Sequence, residues 1–226
     1  MKKMLGLVFI SVTSFYSCKE KPPVHPKLLI DNSTIMYNDL SSPVKTETAT
    51  FANGCFWCTE AIFKELDGVI SAVSGYTGGK TENPTYKQVC TGETGHAEAL
   101  QIVYDPSKIS FDELLEVFWK THDPTTLNRQ GADVGTQYRS GIFYHNEEQK
   151  QKAEKYKAEL NKTGAFDKPV VTEITPFTKF YPAENYHQQY FENNENSNPY
   201  CRIVIQPKLE KFRKVFSEKL KSPLTP

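Results

Sequence analysis

Apolar positions along the chain recur with two periods, and together they predict interspersed strands and helices. Residues 46–52 are β-prone and run into Asn53-Gly54, a turn signal. From Cys55 to Leu66 the apolar residues Ile62, Phe63 and Leu66 fall at helical spacing, and the run stops at Asp67-Gly68. Residues 69–74 predict a short strand. Residues 75–93 are rich in Gly, Thr and Pro and predict a long surface loop, a length that is usually functional or disordered. Residues 96–104 predict a strand ending at Asp105-Pro106. Ser110 and Glu113 form a capping box ahead of Leu114, Leu115, Val117, Phe118 and Trp119, so a helix starts there. A polar loop over 122–136 follows, then a strand over 137–144, a charged helix over 146–161 and a strand over 169–174. A short helix over 183–191, a strand over 202–205 and a final helix over 208–220 complete the pattern. There is no internal repeat. The helices are few and the loops long. This favours an α+β fold, a two-layer α/β sandwich with a ferredoxin-like core and long loops, over a doubly wound parallel sheet.

The start of the chain breaks this pattern. Met1-Lys2-Lys3 is positive, residues 5–12 are apolar but too few to anchor as a span, and Ser14-Phe15-Tyr16-Ser17 leads to Cys18. Residues 1–18 thus read as a lipoprotein-type signal in which Cys18 takes the lipid. A cleaved secretory signal and a cytoplasmic protein are the alternatives. Residues 19–44 are polar, carry Pro22, Pro23 and Pro26, and read as a flexible tether. Residues 45–222 remain as one domain, large enough for a real core. The expected location is outside the cytoplasm, on a membrane facing the periplasm of a bacterium, with membrane contact only through the lipid. A formal net charge of zero argues against nucleic acid as a partner.

The candidate chemistry centres on Gly54-Cys55-Phe56-Trp57-Cys58. A Cys opening a helix gains thiolate character from the free N–H groups and the dipole, and the thiolate is the nucleophile. The C-x-x-C spacing also fits a redox pair, and a buried Cys beside core aromatics is the plain alternative. Gly95-His96-Ala97-Glu98-Ala99 places a carboxyl at the start of an apolar strand. Burial there would raise its pKa and let it hold a proton near neutrality, whereas an ordinary salt bridge would not. Asp133 to Ser140 is a polar turn running into a strand, and Asp and Gly can serve the turn alone. The histidines His96, His122, His145 and His187 show no ligand spacing, so no metal is expected.

Six segments in order carry a resemblance: Gly54 to Trp57, Gly75-Tyr76-Thr77-Gly78-Gly79, Asn83-Pro84-Thr85-Tyr86, Gly95 to Glu98, Gly135-Thr136-Gln137-Tyr138-Arg139-Ser140, and Ala183-Glu184-Asn185-Tyr186-His187-Gln188-Gln189-Tyr190. In order and spacing the chain resembles the peptide-methionine (S)-S-oxide reductases, the MsrA family, from about Ala49 to Cys201. The resemblance implies reduction of methionine S-sulfoxide in proteins, with the free amino acid as a further substrate. Cys55 would be the nucleophile and Glu98 the acid. Tyr86 and Tyr138 would hydrogen-bond the sulfoxide oxygen, Phe56 and Trp57 would wall the S-methyl group, and Asp133 would sit at the rim. His187 lies in a segment that the family places near the site, with no role assigned. The product would be methionine and a sulfenic acid on Cys55.

For clearing that sulfenic acid the chain departs from the family's common pattern, which has Gly at position 58 and a Gly-rich tail bearing the resolving cysteines. Cys58 is one helical turn from Cys55 and Cys201 is the late candidate, here expected to enter a strand; either resolves, or both in relay. Cys90 reads as structural. No cofactor is expected beyond an external thiol reductant such as thioredoxin, and the chain is expected to be a monomer. Two other functions stay open: a thiol–disulfide oxidoreductase using Cys55 and Cys58, and a tethered binding protein that has lost the chemistry. Metabolic labelling with a radioactive fatty acid is expected to mark the chain and to fail in Cys18→Ala; equal labelling of both would remove the lipid anchor.

Overall fold

The computed structural model describes residues 45–222. The signal and tether expected over residues 1–44, including Cys18, lie outside the described residues. Strands β1 (Glu47–Asn53), β2 (Val69–Thr77), β3 (Ala97–Tyr104), β6 (Ser140–Tyr144), β7 (Glu173–Pro176) and β8 (Phe180–Pro182) form a six-stranded sheet in the order β7-β6-β1-β3-β2-β8. Every pairing is antiparallel except β6 with β7. A two-stranded ribbon joins β4 (Arg129–Gln130) and β5 (Asp133–Val134). The α-helices are α1 (Phe56–Phe63), α2 (Tyr86–Cys90), α3 (Phe111–Lys120), α4 (Glu147–Thr163), α5 (Tyr190–Asn194) and α6 (Gln206–Val215). A mixed α+β fold of this kind was the expected class.

The period of two along a strand decides what each face of the sheet meets. On β3, Leu100, Ile102 and Tyr104 face the main core, and Glu98 belongs to the same alternate set. That core packs Phe51 of β1 against Phe63, Phe111 and Phe118, with ring centroids 5.6, 5.9 and 5.2 Å apart. The other set on β3, Ala97 and Ala99, meets Ala52 and Phe143, with Phe177 and Phe180 packed behind. Small residues are needed there. A Cβ on Gly75 would come within 2.3 Å of the Phe180 ring.

Several expectations shift. Residues 75–93 are not one loop: Gly75, Tyr76 and Thr77 finish β2, and Thr85 caps α2 with a capping box. The strand expected from residue 137 begins at Ser140, after a 3-10 turn Thr136–Tyr138. The strand expected over 169–174 falls later, at β7. The strand expected over 202–205 is wrong. Cys201–Ile205 is a π-helical turn that runs into α6. Cys201, Ile205, Leu209 and Phe212 are buried, while Ile203 and Val204 face water. That spacing is helical, and a window of four residues is too short to reveal it. Pro207 in the first turn of α6 cannot donate a backbone hydrogen bond, and the preceding turn is wider than an α-turn.

Helix α3 starts as expected. The Ser110 N–H donates to Glu113 Oε2 at 2.9 Å, and the Glu113 N–H donates to Ser110 Oγ at 3.2 Å. Ser110→Ala is expected to cost about 1 kcal/mol in urea unfolding, the usual loss for such a cap. An unchanged midpoint would show that the box contributes nothing.

Candidate active site

Cys55 stands at the junction of β1 and α1. Gly54 makes that turn with φ +97°, and a Cβ there would sit 2.6 Å from Gln130. Cys55 is the N-cap of α1, but its side chain caps nothing. The first N–H of the helix, that of Phe56, instead donates to Glu98 Oε2 at 3.0 Å. A buried carboxyl therefore lies against the residue that follows Cys55. Cys55 is 8 % exposed and Glu98 1 % exposed.

Burial is the main influence on Glu98, and it penalises the carboxylate. The Phe56 N–H favours the charged form, while Asp133 and Cys58 oppose it. The balance raises the Glu98 pKa to about 8. The carboxyl is mostly protonated at neutral pH, which suits a proton donor.

The thiols correct one expectation. Burial pushes the Cys55 thiol well up, and Cys58 and Glu98 beside it push in the same direction. The helix start does not supply a resting thiolate at Cys55, because burial outweighs it. Cys58 carries the more acidic thiol. The hydrogen bond from Cys55 outweighs burial and brings Cys58 down to about 7. The two thiols thus titrate as a pair within the first turn of α1.

Tyr86 and Tyr138 flank Glu98. Burial pushes both phenols upward, and both feel the Glu98 charge; Tyr138 feels Cys55 as well. They remain neutral donors. Phe56 is buried beneath Tyr86, Tyr76 and His187, at ring-centroid distances of 6.4, 5.8 and 5.1 Å. Trp57 is half-buried, stacked on Tyr190 at 3.6 Å with nearly parallel planes, and its indole N–H donates to His187 Nδ1 at 3.0 Å. Asp133 accepts the Tyr200 hydroxyl at 2.7 Å, and that hydroxyl also reaches the thiol of Cys55. Cys201 is fully buried in the main core with Cys58, whose charge it feels, rather than in a tail.

The structure thus brings Cys55, Cys58, Glu98, Tyr86, Tyr138, Asp133, Phe56 and Trp57 to one place, with Cys201 behind them. Cys90 is exposed and hydrogen-bonded to Tyr86, so it is a surface residue beside the pocket rather than core. Tyr200, Tyr190 and Glu184 were not singled out from the sequence. Tyr190 and Glu184 stood inside a recognised segment without a role, and Tyr200 was hidden beside Cys201. Arg139 holds the frame: its guanidinium donates to the carbonyls of Thr136 and Gly95, both at 3.0 Å, and to Glu173. It thereby ties the turn bearing Tyr138 to the loop leading into Glu98.

The arrangement matches known proteins over most of its length. A family model described as peptide methionine sulfoxide reductase matches residues 47–220. The chain is 58% identical over 175 residues to peptide methionine sulfoxide reductase MsrA 1 of Rhodopirellula baltica, covering 77% of this chain and 90% of that one. It is 59% identical over 175 residues to the MsrA of Haloquadratum walsbyi, covering 77% and 99%. Among solved structures, Mxr1 from Saccharomyces cerevisiae in reduced form superposes with a TM-score of 0.64 at 40% identity, covering 69% of this chain and 90% of that one. Methionine sulfoxide reductase A of Corynebacterium diphtheriae gives 0.62 at 39% identity, covering 71% and 80%.

The raised Glu98 pKa has a consequence for stability. Between the ordinary carboxyl value of 4.5 and about 8 the folded chain keeps a proton that the unfolded chain has lost. Stability from this group is therefore greatest at low pH and falls as pH rises through that window. Unfolding curves across it are expected to show wild type losing stability relative to Glu98→Gln. Parallel curves would mean that the carboxyl is ionised throughout.

Proposed function

The chain belongs to the peptide methionine sulfoxide reductase family, and we propose a division of labour among its residues for the reduction of methionine S-sulfoxide to methionine. The single observation that carries this reading is the hydrogen bond from the Phe56 N–H to Glu98, which fixes a buried carboxyl beside Cys55. Trp57 and Phe56 receive the S-methyl group, because a polarizable sulfur–methyl unit suits aromatic faces and edges. Tyr86 and Tyr138 donate to the sulfoxide oxygen. Cys55 Sγ attacks the sulfur and passes its proton to the Cys58 thiolate, its hydrogen-bond partner. Glu98 gives its proton to the sulfoxide oxygen. The S–O bond of the substrate breaks, the oxygen passes to Cys55 as a sulfenic acid, and methionine leaves two electrons richer.

Cys58 then attacks Cys55. The S–S bond forms and water departs with the sulfenic oxygen. The interaction of the two thiols and the lowered Cys58 pKa support Cys58 as the direct resolver. Cys201, packed near Cys58 in the core, is the second acceptor of the disulfide. A thioredoxin-like dithiol returns the enzyme to its reduced form. Asp133 and Tyr200 support the thiols from the rim. A pure thiol–disulfide oxidoreductase would use Cys55 and Cys58 but would leave Glu98, Tyr86 and Tyr138 without work.

The sequence of residues 1–18 supports export and lipidation at Cys18, with residues 19–44 as the tether. The enzyme would then repair oxidised methionine on the periplasmic side of a bacterial membrane, as a monomer. Turnover of a methionine sulfoxide peptide with dithiothreitol is expected for the S epimer alone and to vanish in Cys55→Ala. Cys58→Ser is expected to release one methionine per chain and then fail to cycle with thioredoxin. Reduction of insulin disulfides without sulfoxide turnover would overturn the assignment, and normal cycling of Cys58→Ser would move resolution to Cys201.

A further inference from the structure

A cleft lined by none of the residues gathered around Glu98 lies between the end of α3, Phe166 and α6, with a volume of 540 Å³. On α6, Lys208, Lys211, Phe212 and Val215 line it at the spacing of one helix face. Phe166 and Phe216 add two further rings. Val215 is 55 % exposed, so the cleft opens to water along that edge. A second cavity of 420 Å³ adjoins the first, because Lys120, His122 and Phe166 bound both. Trp119 of α3 and Tyr156 and Leu160 of α4 line this second space. Both volumes fall in the range of about 300–1,000 Å³ usual for small-molecule sites.

The two spaces differ in charge. Lys208 and Lys211 form no ion pair among the described residues. Lys120 is already paired with Glu116 at 2.7 Å, and its ammonium lies 5.6 Å from the centre of the Phe216 ring. Asp123 is the one acid lining the first cavity, and its carboxylate is engaged by the N–H and hydroxyl of Thr125 at 2.9 and 2.6 Å. Burial brings His122 down to about 3, so the ring is neutral, and its two nitrogens meet the Phe118 carbonyl and the Ser140 hydroxyl, both at 2.7 Å. Two uncommitted ammoniums thus stand beside apolar rings in the first cavity, while the second is lined mainly by apolar side chains and carries Glu116. A purely apolar ligand would leave those charges unanswered. A small polar anion would leave the rings and methyl groups against water.

We propose that this cleft binds a single-chain amphiphile with a carboxylate head, the head meeting Lys208 and Lys211 and the chain lying on Phe166, Phe212 and Phe216 toward Trp119 and Leu160. Hydrogen bonds between ammonium and carboxylate are stronger than neutral ones and fix the head. The chain gains by leaving water for the rings. Glu116 at the second cavity repels a carboxylate, so the charged end stays with α6. One flexible chain fills both cavities, whereas a docked protein would need side chains projecting into each.

Calorimetric titration of the full-length chain with decanoate, kept below its micellar concentration, tests this. Decanoate is expected to saturate one site per chain. Decanol, the same chain without the charge, should bind about tenfold more weakly, the worth of one charge-assisted hydrogen bond. Lys208→Gln with Lys211→Gln should weaken decanoate by about tenfold or more and leave decanol within about twofold. Trp57→Phe leaves Trp119 as the sole indole, and its emission should shift on adding decanoate. A methionine sulfoxide peptide should not displace the ligand, because the two sites share no residue. If the double variant does not fold, the exposed Val215→Asp takes its place, since an added carboxylate at the edge should also weaken decanoate. Absence of saturable binding, equal affinity for decyltrimethylammonium, or an affinity unmoved in whichever variant is used would overturn the proposal. Displacement by the sulfoxide peptide would overturn it too, by placing the chain in the catalytic pocket. An acidic, apolar peptide that binds more tightly than decanoate would replace the small ligand with a protein partner.

Discussion

A carboxyl group kept from water at the start of a helix is the constraint on which the rest of this structure depends. Glu98 occupies a core-facing position of a central strand, where only an uncharged or well-paired group is tolerated. One backbone N–H from α1 is the partner that the fold provides. That is enough to hold the side chain in place and too little to keep it ionised. The same burial pushes the Cys55 thiol up, and Glu98 beside it pushes in the same direction. Cys55 is a buried thiol, and the more acidic thiol of the pair is Cys58, one turn further on. Glu98, Cys55 and Cys58 are coupled because they lie together in one buried site.

The frame around this group is built to leave it no freedom. Small residues on the opposite face of the sheet admit Phe143, Phe177 and Phe180 at close range and fix β3 between its neighbours. Arg139 ties the Tyr138 turn to the approach of β3. Glu184 holds α2 by its first N–H. Aromatic rings fill the remaining space, and Trp57 lies flat on Tyr190. The polar groups proposed to meet the substrate are phenols that burial holds neutral, so nothing charged would compete with Glu98 for a sulfoxide oxygen.

Much of this was legible in the residues. Strong local signals survived intact: the alternation through β3, the turn at Gly54 and the Ser110 capping box mark their elements in the structure. The motifs led to the pocket because most of them bring a side chain that the structure gathers around Glu98 and Cys55. What failed was set by contacts distant in sequence. The short stretch Arg202-Ile203-Val204-Ile205 looked like a strand, and only the burial of Cys201 and Ile205, continued through Leu209 and Phe212, makes it helical. The β8 strand is three residues long and exists because it pairs with β2. The thiolate at Cys55 followed from a general property of helix starts, and burial of the thiol beside Cys58 and Glu98 reversed it. Tyr200 carried no signal of its own, since its role comes from being folded back over Asp133 and the thiols.

The central claim is that Glu98 supplies the proton as Cys55 attacks. It is tested most directly by the pH dependence of methionine release in a single turnover, measured by rapid quench with wild type and Glu98→Gln. The account predicts a rate that rises as the thiol pair ionises near 7 and falls as Glu98 loses its proton near 8. In Glu98→Gln the rate should drop by about a hundredfold or more, the usual worth of a general acid, and the descending limb should disappear. A wild-type rate that keeps climbing well above that pH, or a Glu98→Gln rate within about twofold of wild type, would contradict it.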